Sequence, residues 1–372
     1  MQFIDLGAQR ARIEDKINSA IAHVVASGQY ILGTKVTEFE ERLAEYLGVK
    51  HVIACANGTD ALKMPLMAQN IGPGDAVFCP SFTFCATAEV VALVGAEPVF
   101  VDVLPDTFNI DVEKLREAIE MIKKEGRLKP KAIIAVDLFG LPADYIEIAK
   151  IAVQENLFVI EDAAQSMGGK SGNIMCGAFG NVAATSFYPA KPLGCYGDGG
   201  AMMTNDDNLA ELLRSILFHG KGETQYDNVR IGMNSRLDTL QAAILLEKLV
   251  IFEDEMEKRV AIAKRYFDGL RDIVTVPDME ENARCAYAQY TIKVEERDKL
   301  KEYLQKKSIP TMIYYTTPLH QQRAYKHFPY VKNSLSVSES LGNCVLSLPM
   351  HPYLTTTDQD MVIQQIRDFY RS

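Results

Sequence analysis

Four short segments hold the residue types that could do chemistry: ANGTDAL (56–62), SFTFCATAE (81–89), EDAAQS (161–166) and TSFYPAKPLGCYGDGG (185–200). In the first, Asn-Gly-Thr opens a helix after a strand, a place where free backbone N–H groups and the helix dipole favour a phosphate. Read alone, the same residues also make an ordinary N-cap by Asn57 or Thr59, with Gly58 supplying the turn. EDAAQS follows the apolar run LFVI, so Asp162 stands where a buried strand leaves the sheet. A carboxylate there needs a cation or hydrogen-bond donors, because an unpaired buried charge is too costly. Capping or a structural salt bridge would meet that need equally. TSFYPAKPLG presents Lys191 between Pro189 and Pro192, whose fixed backbone discourages helix and holds the lysine in a defined loop. Desolvated or converted to a Schiff base, such a lysine works at neutral pH; a plain surface lysine is the alternative. Together the segments supply a lysine, a carboxylate for a pyridine nitrogen, an aromatic face and phosphate donors, which are the parts of a pyridoxal phosphate site.

The elements that must position these residues follow from the hydrophobic pattern. From about Lys50 to Asn205 short β-rich runs (HVIACAN, DAVFCPS, EPVFVDV, KAIIAVDLF, LFVIEDAA, VAATSFY) alternate with helix-period segments (ALKMPLMAQ, CATAEVVALV, DVEKLREAIEMI, DYIEIAKIAV). Such alternation predicts an α/β architecture, a mostly parallel sheet covered by helices on both faces. Ligands in that architecture sit beyond the carboxyl ends of the strands, where all four segments fall. After GGAMMTN the pattern turns helical, with a long helix expected from about Leu237 to Leu270. A smaller α+β set follows, with AYAQYTIKV, PTMIYY and VLSLP as strands and DKLKEYLQKK and QDMVIQQIRDFY as helices. A boundary near residue 250 divides the chain into a large domain, 1–250, and a small C-terminal domain, 251–372.

Composition narrows the class. The chain has 372 residues, 48% hydrophobic and 24% charged, which fits an ordinary globular core and excludes disorder or collagen-like repeats. Thirty-nine basic against 49 acidic residues give a formal charge of -10, so there is no electrostatic footprint for nucleic acid or an anionic membrane. Neither a signal-peptide pattern nor an apolar stretch of roughly 18 residues is present, and a cytoplasmic location is expected. The seven cysteines are scattered without a C-x-x-C pair, and the histidines lack metal-ligand spacing. Reduced core cysteines and no metal are expected.

The ordered motifs FIDL, GQYILG (28–33), NGTDAL, EDAAQS, SFYPAKPLG, GDGGA, MNSRLDTLQAAIL (233–245), PLHQQ and SLPMHPYL resemble, nearly end to end, the DegT/StrS family of nucleotide-sugar aminotransferases. The resemblance implies the type I (aspartate aminotransferase) fold, a mostly parallel seven-stranded sheet in the large domain, and pyridoxal 5'-phosphate as cofactor. It implies that Lys191 is the Schiff-base lysine and general base and acid, Asp162 the partner of the pyridine nitrogen, and Gln165 the amide beside the phenolic oxygen. Phe84 would stack on the ring, while Gly58, Thr59 and Ser186 would cradle the phosphate. Asn234 would reach the phosphate from the neighbouring subunit, which implies a homodimer with shared sites. Dehydratase relatives carry histidine at position 191, so a lysine there favours transamination, with glutamate as donor and 2-oxoglutarate released.

Within the family, FIDL, GQYILG, CANGTDAL, KPLGCYGDGGA and NSRLDTLQAAIL look like the branch that aminates a 3-oxo UDP-N-acetylglucosaminuronate in bacterial surface-polysaccharide synthesis. That branch would make Arg236 the partner of the uronate carboxylate, since a guanidinium matches a planar carboxylate; an ion pair at a dimer contact is the bland alternative. Tyr30, Tyr315 and His320 resemble sugar-pocket positions. One departure stands out: relatives show His-Tyr before P-L-H, whereas this chain has Tyr314 and Tyr315. Competing readings are C4 amination of a UDP- or dTDP-4-keto-6-deoxy sugar and a catalytically silent nucleotide-sugar-binding regulator. A dinucleotide-dependent oxidoreductase is disfavoured because no G-x-G-x-x-G joins the first strand to the first helix.

Overall fold

The computed structural model describes residues 1–224, 226–278 and 282–371. Its strands are β1 (His51–Cys55), β2 (Asp75–Pro80), β3 (Glu97–Val101), β4 (Lys129–Val136), β5 (Phe158–Asp162), β6 (Lys170–Ser171), β7 (Ile174–Met175), β8 (Val182–Ser186), β9 (Gly200–Thr204), β10 (Ala283–Arg284), β11 (Tyr290–Lys293) and β12 (Val345–Leu348). The main sheet has seven strands in the order β1-β9-β8-β5-β4-β2-β3. Its neighbours pair in parallel except around β9, which is antiparallel to both β1 and β8. All six runs read as strands in the sequence lie in this sheet, and the run GAMMT supplies the seventh. The helices are α1 (Leu6–Arg12), α2 (Glu14–Ser27), α3 (Thr34–Leu47), α4 (Gly58–Ala68), α5 (Ala86–Leu93), α6 (Val112–Glu125), α7 (Tyr145–Glu155), α8 (Asp207–Ile216), α9 (Thr239–Leu270), α10 (Arg297–Lys306), α11 (Ser336–Cys344) and α12 (Thr356–Phe369).

Successive strand residues face opposite sides of a sheet, and here both sides are dry. Val77 and Cys79 pack with α4, α5 and α8, whereas Ala76 and Phe78 pack with α6 and α7. Val52 and Ala54 meet α3 and the first half of α9 on the latter side. That double burial explains why the strands are almost wholly apolar. The crossover helices carry their own start and stop signals. Asp111 caps α6 by accepting from the N–H groups of Glu113 and Lys114, and Gly126 ends it in a left-handed conformation at φ 67°.

The long helix α9 serves two cores. Phe252 and Met256 belong to the core under the main sheet. Ile262, Tyr266 and Leu270 join Tyr290 and Ile292 of β11, Leu346 and Leu348 of β12, and residues of α10 and α12. The change of core falls between Met256 and Ile262, and residue 250 lies inside an unbroken helix. PTMIYY departs from the expected strand. Only Met312 forms a bridge, to Ser347, after which the chain leaves the two-stranded β11–β12 sheet and carries Tyr314 and Tyr315 toward the ends of the main sheet. All seven cysteines are free, four of them buried. Among the described residues, no helix is long and apolar enough to cross a membrane.

Candidate active site

The strands β1, β2, β4, β5 and β8 all release their chain at one edge of the sheet, and the candidate residues gather there. At the β1 exit, Asn57 caps α4 by accepting from the N–H of Asp60 at 2.8 Å. The capping expectation therefore holds, and it leaves the N–H groups of Gly58 and Thr59 at the open end of the helix. A Cβ placed on Gly58 would lie 2.7 Å from the Cβ of Ser186 at the end of β8. Only a glycine lets the helix start this close to Ser186, whose hydroxyl accepts from the Tyr188 N–H at 3.2 Å. Open N–H groups, a hydroxyl and a positive helix end form a cradle that fits a phosphate.

Across the sheet edge, Asp162 ends β5 and is buried. Its Oδ1 accepts from the Ala164 N–H at 3.2 Å and its Oδ2 from the Thr87 hydroxyl at 3.0 Å. Burial raises its pKa to about 6; the Ala164 N–H, the Thr87 hydroxyl and the Lys191 ammonium oppose that rise. Lys191 follows β8 in the loop predicted for it, its own N–H donating to the Tyr188 carbonyl at 2.9 Å. Burial lowers its pKa and the Asp162 charge raises it, with burial the larger influence. A lysine biased toward the free amine beside a carboxylate biased toward protonation is what an imine-forming site with an acid partner requires. Gln165 is buried three residues after Asp162, its Oε1 accepting from the Phe139 N–H at 2.8 Å and its Nε2 donating to the Tyr315 hydroxyl at 3.4 Å.

Phe84, more than half exposed, stands at the entrance with its ring centroid 6.4 Å from that of Tyr315. An exposed aromatic face here is available to a flat heterocycle. With the phosphate cradle at one end and Asp162 at the other, the residues fit pyridoxal phosphate. The remaining expectations divide. Tyr315 lies in the site. Tyr314 stacks edge-on against it at 5.8 Å. His320 is buried with both ring nitrogens engaged inside the chain, Nδ1 with the Ser81 hydroxyl at 2.6 Å and Nε2 with Glu339 at 3.1 Å. It therefore holds the segment in place and presents no free nitrogen to a sugar. Asn234 is exposed, and Arg236 lays its guanidinium 4.9 Å from the centre of the Phe218 ring with no salt bridge among the described residues. Tyr30 is about half exposed, its hydroxyl donating to the Val25 carbonyl at 3.3 Å.

Three groups escaped the sequence reading. Thr87 sits one helical turn after Phe84, and its i+3 spacing is the only signal it gave. Lys248 of α9 is 1% exposed, donates to the Gly194 carbonyl at 2.6 Å and stands 4.3 Å from the centre of the Tyr196 ring. It thereby ties down the loop that begins at Lys191. Asp137, Glu161 and Cys176 cluster behind Asp162, fully buried. Their carboxyl oxygens accept from Tyr145, Ser166 and the N–H groups of Ala143, Gly177 and Phe179, so the cluster is satisfied by the protein itself.

Comparison with known proteins assigns the class. The chain belongs to the DegT/DnrJ/EryC1/StrS aminotransferase family, whose defining pattern matches residues 11–367. It is an enzyme of this pyridoxal-phosphate-dependent kind: NtdA of Bacillus subtilis, 30% identical with a TM-score of 0.87 over 96% of this chain and 82% of that one, was solved with bound pyridoxamine phosphate. A family aminotransferase from Brucella abortus, known from its crystal structure, is 68% identical and superposes with a TM-score of 0.99 over 99% of both chains. The UDP-2-acetamido-2-deoxy-3-oxo-D-glucuronate aminotransferase of Pseudomonas aeruginosa is 48% identical over 358 residues, 96% of each chain.

Proposed function

We propose that this enzyme transfers the amino group of glutamate to C3 of UDP-2-acetamido-2-deoxy-3-oxo-glucuronate, in bacterial surface-polysaccharide synthesis. The observation that carries the transfer chemistry is the convergence of Lys191, in the loop after β8, and Asp162, at the end of the neighbouring parallel strand β5, where burial lowers the proton affinity of the amine and raises that of the carboxylate. The substrate reading is supported by the Pseudomonas aeruginosa relative and by Arg236, whose guanidinium has no carboxylate partner among the described residues and suits a uronate. Bound pyridoxal phosphate supplies the electron sink that acidifies the carbon bearing the amino group. Gly58, Thr59 and Ser186 hold its phosphate, Phe84 covers its ring, Asp162 keeps a proton at its pyridine nitrogen and Gln165 lies beside its phenolic oxygen. Lys191 Nζ takes the proton from the glutamate α-carbon and later delivers one to C3 of the sugar.

The working form is a cytoplasmic homodimer in which Asn234 and Arg236 serve the neighbour's site. The cofactor-binding part runs from the N-terminal region into the first half of α9, and the smaller unit, which contributes Tyr315, takes over between Met256 and Ile262. The purified protein is expected to be yellow, to bleach with glutamate and to recover with 2-oxoglutarate. In a panel of keto-sugar nucleotides the 3-oxo uronate turns over and 4-keto-6-deoxy sugars do not. Arg236→Ala is expected to raise KM for the uronate about 10- to 100-fold, as loss of a charge-assisted bidentate contact does. Turnover of the 4-keto sugars alone would move the reading to C4, and a colourless protein that ignores added pyridoxal phosphate would make it a regulator.

A further inference from the structure

Asp60 is a carboxylate in the first turn of α4, the helix whose open end is to hold a phosphate. A like charge in that position opposes phosphate binding, and donors turned toward the carboxylate offset part of the repulsion. One of its oxygens has two. Oδ2 accepts from the Ser235 hydroxyl at 2.7 Å and from the Asn57 amide at 3.2 Å. Ser235 is fully buried, 175 residues away in sequence, and its oxygen also accepts from the Ala56 N–H at 3.3 Å. Its backbone is pinned as well. The Ser235 N–H donates to the Leu217 carbonyl at 3.0 Å, and Asn234 bridges Phe218. Of the residues on either side of it, Asn234 is exposed and Arg236 is part-buried over the Phe218 ring, and they are the two assigned above to the neighbour's site.

We propose that the Asp60–Ser235 hydrogen bond is a coupling element between the two sites of the dimer. It links the phosphate cradle of one site to the segment that the same chain donates to the other. A phosphate arriving at α4 increases the demand of Asp60 for a donor and tightens its hold on Ser235, which fixes Asn234 and Arg236 for the partner. By linkage, sugar binding in the neighbour strengthens phosphate binding here. Ser235 is thus a positioning residue, touching neither cofactor nor sugar. The inference rests on the shared-site reading, so its test separates the two.

The measurement uses differently tagged subunits, purified as mixed dimers. One subunit carries Lys191→Ala with its Asn234–Arg236 segment intact; the other keeps Lys191 but carries Asn234→Ala and Arg236→Ala. The mixed dimer then has one complete site. Adding Ser235→Ala to the Lys191→Ala subunit is expected to raise the uronate KM at that site about tenfold. Placed in the other subunit, the same change leaves KM unaltered and weakens pyridoxal phosphate binding about tenfold, read by absorbance titration of the apo-protein. Ser235→Thr restores both. An inactive mixed dimer before Ser235 is touched overturns the shared-site reading and this proposal with it. Equal KM effects from both placements, or unchanged cofactor titration in the second, overturn the proposal alone.

Discussion

Lys248 is a buried cation with a function written into its surroundings. Its ammonium has a backbone carbonyl and an aromatic face for company, and desolvation lowers its pKa to about 8 from the ordinary 10.5, with Glu255 and Cys195 pulling the other way. The unfolded chain titrates this group near 10.5. Between pH 8 and 10.5 the unfolded state therefore holds a proton that the folded state has lost, and folding stability rises with pH across that window. Below pH 8 both states are charged and the cost of burying the ammonium is complete. Lys248→Met removes this dependence. Denaturation measured at pH 7.5 and pH 10 should show wild type gaining on the variant by about 1–3 kcal/mol. At both pH values the variant should turn over more slowly, because the loop from Lys191 to Tyr196 loses its tether at Gly194. A stability difference that ignores pH would mean the ammonium is better solvated than its burial implies.

Helix α4 shows at the scale of an element how residue identity at one position decides how closely a helix end approaches a strand end. Gly58 has no Cβ because Ser186 occupies the space. Gly58→Ala should cost about 1–3 kcal/mol of stability, as overpacking does, and weaken cofactor binding at least tenfold by pushing the helix end off the cradle. Gly126→Ala, at a left-handed C-cap with nothing within 4 Å, should cost about 1 kcal/mol and leave cofactor titration untouched. Fluorescence titration of the two apo-proteins discriminates these outcomes. The same element marks where sequence reading reached and where it stopped. Strand exits after Cys55, Asp162 and Ser186 were legible because apolar runs and turn residues are local signals, and the fold's rule about strand ends brought them together. PTMIYY resembled a strand by composition, yet its course is set by the pull of Tyr315 into a cluster with Phe82, Phe84 and Gln165, which no local pattern records. His320 was motif-legible, but its partners Ser81 and Glu339 were not. The Thr87–Asp162, Lys248–Gly194 and Asp60–Ser235 contacts join residues 54 to 175 positions apart, and such pairings exist only once the sheet has formed.

At the scale of the whole molecule, several large apolar side chains are exposed close in sequence to the segment that holds Asn234 and Arg236. Ile31 and Leu32 lie after α2 and are about half exposed; Val229 and Ile231 lie between α8 and α9, with Ile231 87% exposed. Ile31 bridges Asp238, just beyond the Asn234–Arg236 segment, so these side chains adjoin the part of the chain assigned to the neighbour. Exposed apolar side chains of this kind suit a protein contact, and twofold pairing would bury them while carrying Asn234 across. Ile231→Glu puts a charge into that contact without touching Lys191, Asp162 or the cradle. The variant should sediment increasingly as a monomer on dilution, with wild type remaining dimeric over the same range. On the proposed sharing of sites, its specific activity should fall in parallel with the dimer fraction, each site then lacking the partner's asparagine and arginine. Cofactor bound through Lys191 should persist in the monomer, visible as retained absorbance with weakened affinity. Full activity in a monomeric Ile231→Glu protein would show that each chain completes its own site, and would return Asn234 and Arg236 to the surface.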